Sequence, residues 1–152
     1  MKELIIFTGN VGCGKSCKAK EFANLGYIII NDDAITTMIG GGDYTLYDEL
    51  KKPIYKNLEI VGICTSLNYN FSVVIDKPNM TKEKREKLIK IGKLYDARLV
   101  SYDWGPGNLE DLNRRLMNDR GYNKWVKAFD KKRKDYEEPE MEEGFDEIIR
   151  LR

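Results

Sequence analysis

Short, wholly apolar runs alternate along this chain with longer stretches in which apolar positions recur every three or four residues. That is the pattern of buried strands and amphipathic helices in turn. Leu4-Ile5-Ile6-Phe7 is apolar throughout, as a strand covered on both faces requires. A glycine-rich loop follows, and then a predicted helix from about Lys15 to Asn24. Tyr27-Ile28-Ile29-Ile30, Phe71-Ser72-Val73-Val74-Ile75 and Leu99-Val100-Ser101-Tyr102 read as the second, third and fourth strands, and Phe145 to Leu151 as a short last one. Gly40-Gly41-Gly42 interrupts the pattern. Pro53 suits the first turn of a helix to about Leu67, with Ile54, Leu58, Val61 and Thr65 as its buried stripe. Thr81 is placed to cap a helix to about Tyr95, with Leu88, Ile91 and Leu94 inward. Asn108 is placed to cap another through about Met117, and a basic helix is expected from about Asn123 to Lys134. The alternation predicts an α/β domain built on a parallel sheet of about five strands.

With 152 residues the chain is expected to form one domain, residues 1–152, around one core. Its 41% apolar content suffices for that core, and 34% charged residues point to a soluble protein. No apolar run approaches the ~20 residues that span a bilayer. Met1-Lys2-Glu3-Leu4 shows no signal-peptide pattern, so the expected location is the cytoplasm, without a membrane partner. Histidine is absent, which excludes Ser-His-Asp and Cys-His catalysis and imidazole metal sites within the chain. Any general base is then a carboxylate, lysine, tyrosine or thiolate. Three cysteines without paired spacing suggest neither a disulfide framework nor a zinc site.

Net charge is only +1, but it is segregated. Nine Lys/Arg against two Asp fall between Leu112 and Lys134, and eight acids with no base between Asp135 and Glu147. Such runs are either solvated faces or, for the basic one, a surface for polyphosphate or nucleic acid.

Gly9-Asn10-Val11-Gly12-Cys13-Gly14-Lys15-Ser16 matches G-x-x-x-x-G-K-[ST]. The preceding strand and following helix are the context this motif needs. Its glycines let successive N–H groups turn toward phosphates, and the helix N-terminus adds partial positive charge. Lys15 is expected to neutralise β- and γ-phosphate oxygens, and Ser16 to offer a hydroxyl to Mg²⁺. Cys17 completes the stretch expected to lie against the nucleotide. These features imply ATP or another nucleoside triphosphate as donor. A guanine-reading Asn-Lys-x-Asp is missing, because Asn123-Lys124 runs into Trp125-Val126.

In parallel sheets the C-terminal strand ends line the ligand crevice. The second strand runs into Asn31-Asp32-Asp33, and the third closes on Asp76. Without histidine, Asp32 is the natural acceptor of a substrate hydroxyl proton. Asp33 reads as a cap for the helix starting near Ala34, a role also open to Asp32. Asp76 is suited to hold Mg²⁺, directly or through water, or to bind the acceptor.

The phosphate loop, the Asp32-Asp33 pair after a strand, and Val73-Val74-Ile75-Asp76-Lys77-Pro78-Asn79 together resemble the small P-loop kinases related to phage polynucleotide 5′-kinases, the zeta-toxin/polynucleotide-kinase-like group. The resemblance implies a P-loop kinase fold with a helical lid at about 114–125. It implies Asp32 as general base, Asp76 and Asn79 in the acceptor site, and Arg120 as the lid arginine that steadies the transferring phosphate. Arg115 is the nearest match to a first lid arginine on the nucleotide. Members that phosphorylate 5′ ends carry an arginine three residues after the base, where this chain has Ile35. The expected activity is transfer of γ-phosphate to a hydroxyl of nucleic acid, a 5′-hydroxyl or the hydroxymethyl group of a modified DNA base. The alternatives are a kinase of a free nucleoside, nucleotide or small metabolite, and a nucleotide-binding regulatory module without transfer.

Lesser signals remain open. Tyr44 and Tyr47 either wall the acceptor or pack. Cys13 and Cys17 either fill space or provide a redox switch, if nearby backbone dipoles lower a thiol pKa. Trp125 and Phe129, spaced i,i+4, read as the side of the basic helix that packs on the core, with base stacking as the other role for Trp125.

Overall fold

A computed structural model describes residues 1–116 and 122–151. Five strands form one all-parallel sheet: β1 (Glu3–Thr8), β2 (Ile28–Asn31), β3 (Val73–Asp76), β4 (Arg98–Asp103) and β5 (Glu147–Arg150). Their spatial order is β2-β3-β1-β4-β5. Among the described residues six α-helices connect them: α1 (Lys15–Asn24), α2 (Asp32–Ile39), α3 (Lys52–Asn68), α4 (Lys82–Leu94), α5 (Leu109–Leu116) and α6 (Tyr122–Asp135). This is the α/β architecture expected from the alternation. None of these helices is long and apolar enough to cross a membrane.

The continuous apolar run of β1 has the predicted cause. Leu4 and Ile6 face a cluster with Ile63 and Leu67 of α3 and Leu88 and Ile89 of α4. Ile5 and Phe7 face the other side, against Ala19 and Phe22 of α1. The register sets Asn31 beside Asp76 and Thr8 beside Asp103, so these polar residues gather at one edge of the sheet.

Two helices turn a different face inward from the one expected. In α3 the buried positions are Tyr55, Glu59, Ile63 and Leu67, while Ile54, Leu58, Val61 and Thr65 are exposed. The helix carries two apolar stripes, and the inward one contains a glutamate. Glu59 is tolerated there because Lys77, just beyond β3, pairs with it at 2.9 Å. In α4 the inward face is Arg85, Leu88, Ile89 and Gly92, with Ile91 half-buried and Leu94 76% exposed. A Cβ on Gly92 would lie 2.5 Å from Leu99 Cδ2, so its absence lets α4 settle on the sheet.

Arg85 is fully buried, and Glu143 answers its charge with two hydrogen bonds of 2.9 Å. Arg85 Nη1 also donates to the Asn79 carbonyl at 2.9 Å. Elsewhere the acidic run is held by exposed ion pairs and a backbone hydrogen bond. Glu140 pairs with Lys82, Glu138 with Arg150, and Glu137 accepts from the Lys82 N–H. Glu143→Ala is therefore expected to destabilise the fold by about 3–5 kcal/mol, because it strands a buried cation. Arg85→Met in the same background should restore much of the loss. Urea denaturation of the three variants checks this, and an unchanged midpoint for Glu143→Ala would contradict it.

Candidate active site

β1 ends at Thr8, and residues 9–14 turn the chain into α1. Gly14 takes a left-handed φ of 103° at the helix N-cap, where a side chain would be strained. No side chain caps α1 among the described residues, which leaves its first N–H groups available to a ligand. Gly12 meets a packing demand, since a Cβ there would lie 2.1 Å from the Asp111 carbonyl of α5. Lys15 arches back over the loop and donates from Nζ to the carbonyls of Gly9 (2.8 Å) and Asn10 (2.9 Å).

The loop opens onto a cleft of about 550 Å³, within the usual range for small-molecule sites. Val11, Gly12, Cys13, Gly14, Lys15, Ser16 and Cys17 form one wall, and Asn31, Asp32, Asp33 and Asp76 the next. Tyr44 and Pro78 also line it, and Arg114, Arg115, Trp125, Ala128 and Lys132 close it from α5 and α6.

Ser16 Oγ donates to Asp76 Oδ2 at 3.3 Å, and Asn31 Nδ2 donates to the same oxygen at 3.0 Å. Burial pushes the Asp76 carboxyl above its ordinary range, and the Asn31 bond, the Lys15 charge and the Ser16 bond oppose that shift. Asn31 also caps α2, its side chain accepting from the Ala34 N–H at 2.8 Å. The capping role expected of Asp33 thus belongs to Asn31. A side-chain acceptor three residues before Ala34 is the signal that could have shown this. Asp32 faces the cleft from the first turn of α2, and its Oδ1 accepts from the Asp33 N–H at 3.0 Å.

Two expected ligand residues hold the frame with their side chains. Asn79 was expected in the acceptor site. Instead its side chain is buried, donating to the carbonyls of Phe7 (2.9 Å) and Lys77 (3.3 Å), and it does not line the cleft. Its left-handed backbone, φ 43°, turns the chain from β3 toward α4. Asn10 is buried too. Its Nδ2 donates to the carbonyls of Pro106 and Phe129, both at 2.9 Å, tying the phosphate loop to α6.

The remaining expectations divide. Tyr44 lines the cleft, whereas Tyr47 stacks on Tyr55 at 5.6 Å. Cys13 is buried and burial pushes its thiol up, the opposite of an activated cysteine, and Cys17 is exposed. Phe129 is buried as expected, but Trp125 is half-buried at the cleft wall with the Arg115 guanidinium 4.1 Å from its ring centre. Arg114 pairs with Asp111 at 3.0 Å. Arg120, with the middle of the expected lid, lies outside the described residues.

Lys132 was read only as one member of a basic run. It is half-buried and lines the cleft, whereas Lys131, Arg133 and Lys134 are exposed. Burial pushes its ammonium below the usual lysine range.

Residues 4–118 match the family model described as AAA domain. The chain belongs to the AAA domain family. No curated protein matches the sequence significantly. Among solved structures this AAA domain is similar to a gluconokinase from Sinorhizobium meliloti 1021, with 17% identity and a TM-score of 0.61 over 98% of this chain and 81% of the other. It is similar to a chain of the Pnkp1/Rnl/Hen1 RNA repair complex, with 18% identity and a TM-score of 0.68, covering 90% of this chain but only 46% of that one. Kti12 from Chaetomium thermophilum, in complex with ADP-AlF3, gives 19% identity and a TM-score of 0.63 over 97% of this chain and 88% of the other. At these identities the likeness is one of fold, and that fold is the expected P-loop kinase-like α/β domain.

Proposed function

We propose that this AAA domain is an ATP- and Mg²⁺-dependent kinase that transfers the γ-phosphate to a hydroxyl of nucleic acid. The observation that carries the reading is one cleft in which Lys15, Ser16, Asp76 and the phosphate loop face the carboxylate of Asp32 beneath cationic helices. Two carboxylates in that cleft, Asp76 beside Ser16 and Asp32 apart from it, favour transfer to an acceptor over a nucleotide-binding module without transfer.

The loop N–H groups and Lys15 bind and orient the β- and γ-phosphates. Asp32 accepts the proton of the acceptor hydroxyl as its oxygen bonds to phosphorus. The bond from phosphorus to the β-phosphate oxygen breaks, and the nucleoside diphosphate leaves. Arg115, fixed against Trp125, faces the phosphates from the lid side, and Arg120 is the proposed second lid cation. The residues present fit Mg²⁺: Ser16 Oγ and Asp76 Oδ2 are adjacent, and a cation would offset the cost of burying that carboxylate. Bound there, Mg²⁺ supplies positive charge to the phosphate oxygens.

Lys131, Arg133 and Lys134 support a polymeric acceptor, because all three cations are exposed on the helix that closes the cleft. The similarity to a chain of an RNA repair complex agrees with this reading. A small-metabolite acceptor is the second reading, favoured by the size of the cleft and the similarity to a gluconokinase. Neutralising Lys131, Arg133 and Lys134 while sparing Lys132 separates the two. For an oligonucleotide the apparent affinity should fall, and each lost contact should lower the log–log salt slope by roughly 0.7–0.9. For a nucleoside the KM should hold. An unchanged salt slope on oligonucleotides would favour the small-metabolite reading.

A further inference from the structure

The basic run of α6 does not act as one surface. Trp125, Ala128 and Lys132 all line the cleft, and their spacing of three and four residues puts them on one face of the helix. Lys132 is the one cation of α6 among the described lining residues. The charged groups that act on it come from three other elements: Lys15 of α1, Lys84 of α4, and Asp32 and Asp33 of α2. Its ammonium therefore shares the cleft with the phosphate lysine and the carboxylates at the end of β2. Among the described residues it makes no hydrogen bond or ion pair.

Burial and the two lysines disfavour this ammonium, the two aspartates only partly oppose them, and with no direct partner it gains from an arriving anion. Lys15, Lys132 and the Ser16 hydroxyl line the same cleft, a donor set that suits an oxyanion able to accept from two cations at once. Phosphate is that group, and a lysine meets it as a compact point charge.

We propose that Lys132 is a phosphate-contacting residue of the cleft, meeting a phosphate oxygen at the junction between the phosphate loop and Asp32. It rests on the kinase reading, and it assigns Lys132 a role separate from that of its exposed neighbours. The phosphate has two sources, the γ-phosphate of the donor or a phosphate carried by the acceptor next to its reactive hydroxyl.

The test measures binding of ATP, ADP, a nucleoside 3′-monophosphate and the parent nucleoside by calorimetry. The proteins are wild type, Lys132→Met, Lys132→Arg and, as a control on the same helix, Lys127→Met. Loss of one charge-assisted contact corresponds to roughly a tenfold to hundredfold weaker affinity. If the donor is the source, Lys132→Met loses that factor on ATP but not on ADP. If the acceptor is the source, it loses it on the 3′-monophosphate but not on the nucleoside. In either case Lys132→Arg keeps most of the affinity and Lys127→Met all of it. A folded Lys132→Met that binds all four ligands as wild type does would overturn the proposal. Failure of wild type to phosphorylate any oligonucleotide would instead remove the nucleic-acid reading and leave the ATP and ADP comparison intact.

Discussion

Lys15→Ala is expected to leave no measurable phosphoryl transfer. Lys15 is the side chain that the loop geometry holds over the phosphate site, with Nζ on the carbonyls of Gly9 and Asn10. Charge builds on the leaving and transferring phosphates as the reaction proceeds, and a preorganised cation there contributes more to the transition state than to the bound ground state. Loss of a single preorganised donor at such a site costs about 10²–10³-fold in rate. A full charge shared by two phosphates should cost at least that. The fold should survive, since the packing of β1 and α1 rests on Ile5, Phe7, Ala19 and Phe22 and not on this side chain. Circular dichroism and thermal unfolding verify this before rates are compared. Wild-type turnover in a folded Lys15→Ala variant would refute the phosphate-loop assignment.

Asp32→Asn is expected to keep ATP binding and slow transfer by roughly 10²–10⁴-fold, the usual worth of a general base. The substitution is local. Asn31 caps α2, so the helix start does not depend on the Asp32 charge, and an amide oxygen can still accept from the Asp33 N–H. What disappears is the ability to take a proton. Asp33 also lines the cleft, so Asp33→Asn is the comparison to make. Pre-steady-state rates with ATP affinity measured in parallel decide the matter. A loss confined to Asp33→Asn would move the base to that residue.

The parts of the cleft whose placement is legible in the sequence are those set by local rules. The phosphate loop needs only a strand, glycines and a helix start in register. Asp32 and Asp76 follow from the position of strand ends in a parallel sheet. The parts missed depend on which way an element turns. Lys132 is one of four consecutive cations, and only the docking of α6 through Phe129, held in turn by Asn10, selects it for the cleft. Arg85 points inward because a carboxylate 58 residues later meets it, a partner that no periodicity reveals. The exposed stripe of α3 looks more apolar than the buried one, because Glu59 is neutralised by Lys77 from outside the helix. Asn79 has the residue type and place of an acceptor ligand, yet the geometry of the β3–α4 turn commits its side chain to backbone carbonyls.

The most direct measurement follows the γ-phosphate itself. ATP labelled at that position is incubated with wild type and with Asp32→Asn, in the presence of Mg²⁺. The acceptors offered are 5′-hydroxyl DNA, 5′-hydroxyl RNA, DNA carrying hydroxymethylated bases, and free nucleosides. The account predicts that wild type places the label on a nucleic-acid hydroxyl and that Asp32→Asn does so at least about a hundredfold more slowly. Label recovered only as inorganic phosphate, or on nucleosides but on no nucleic acid, would contradict it.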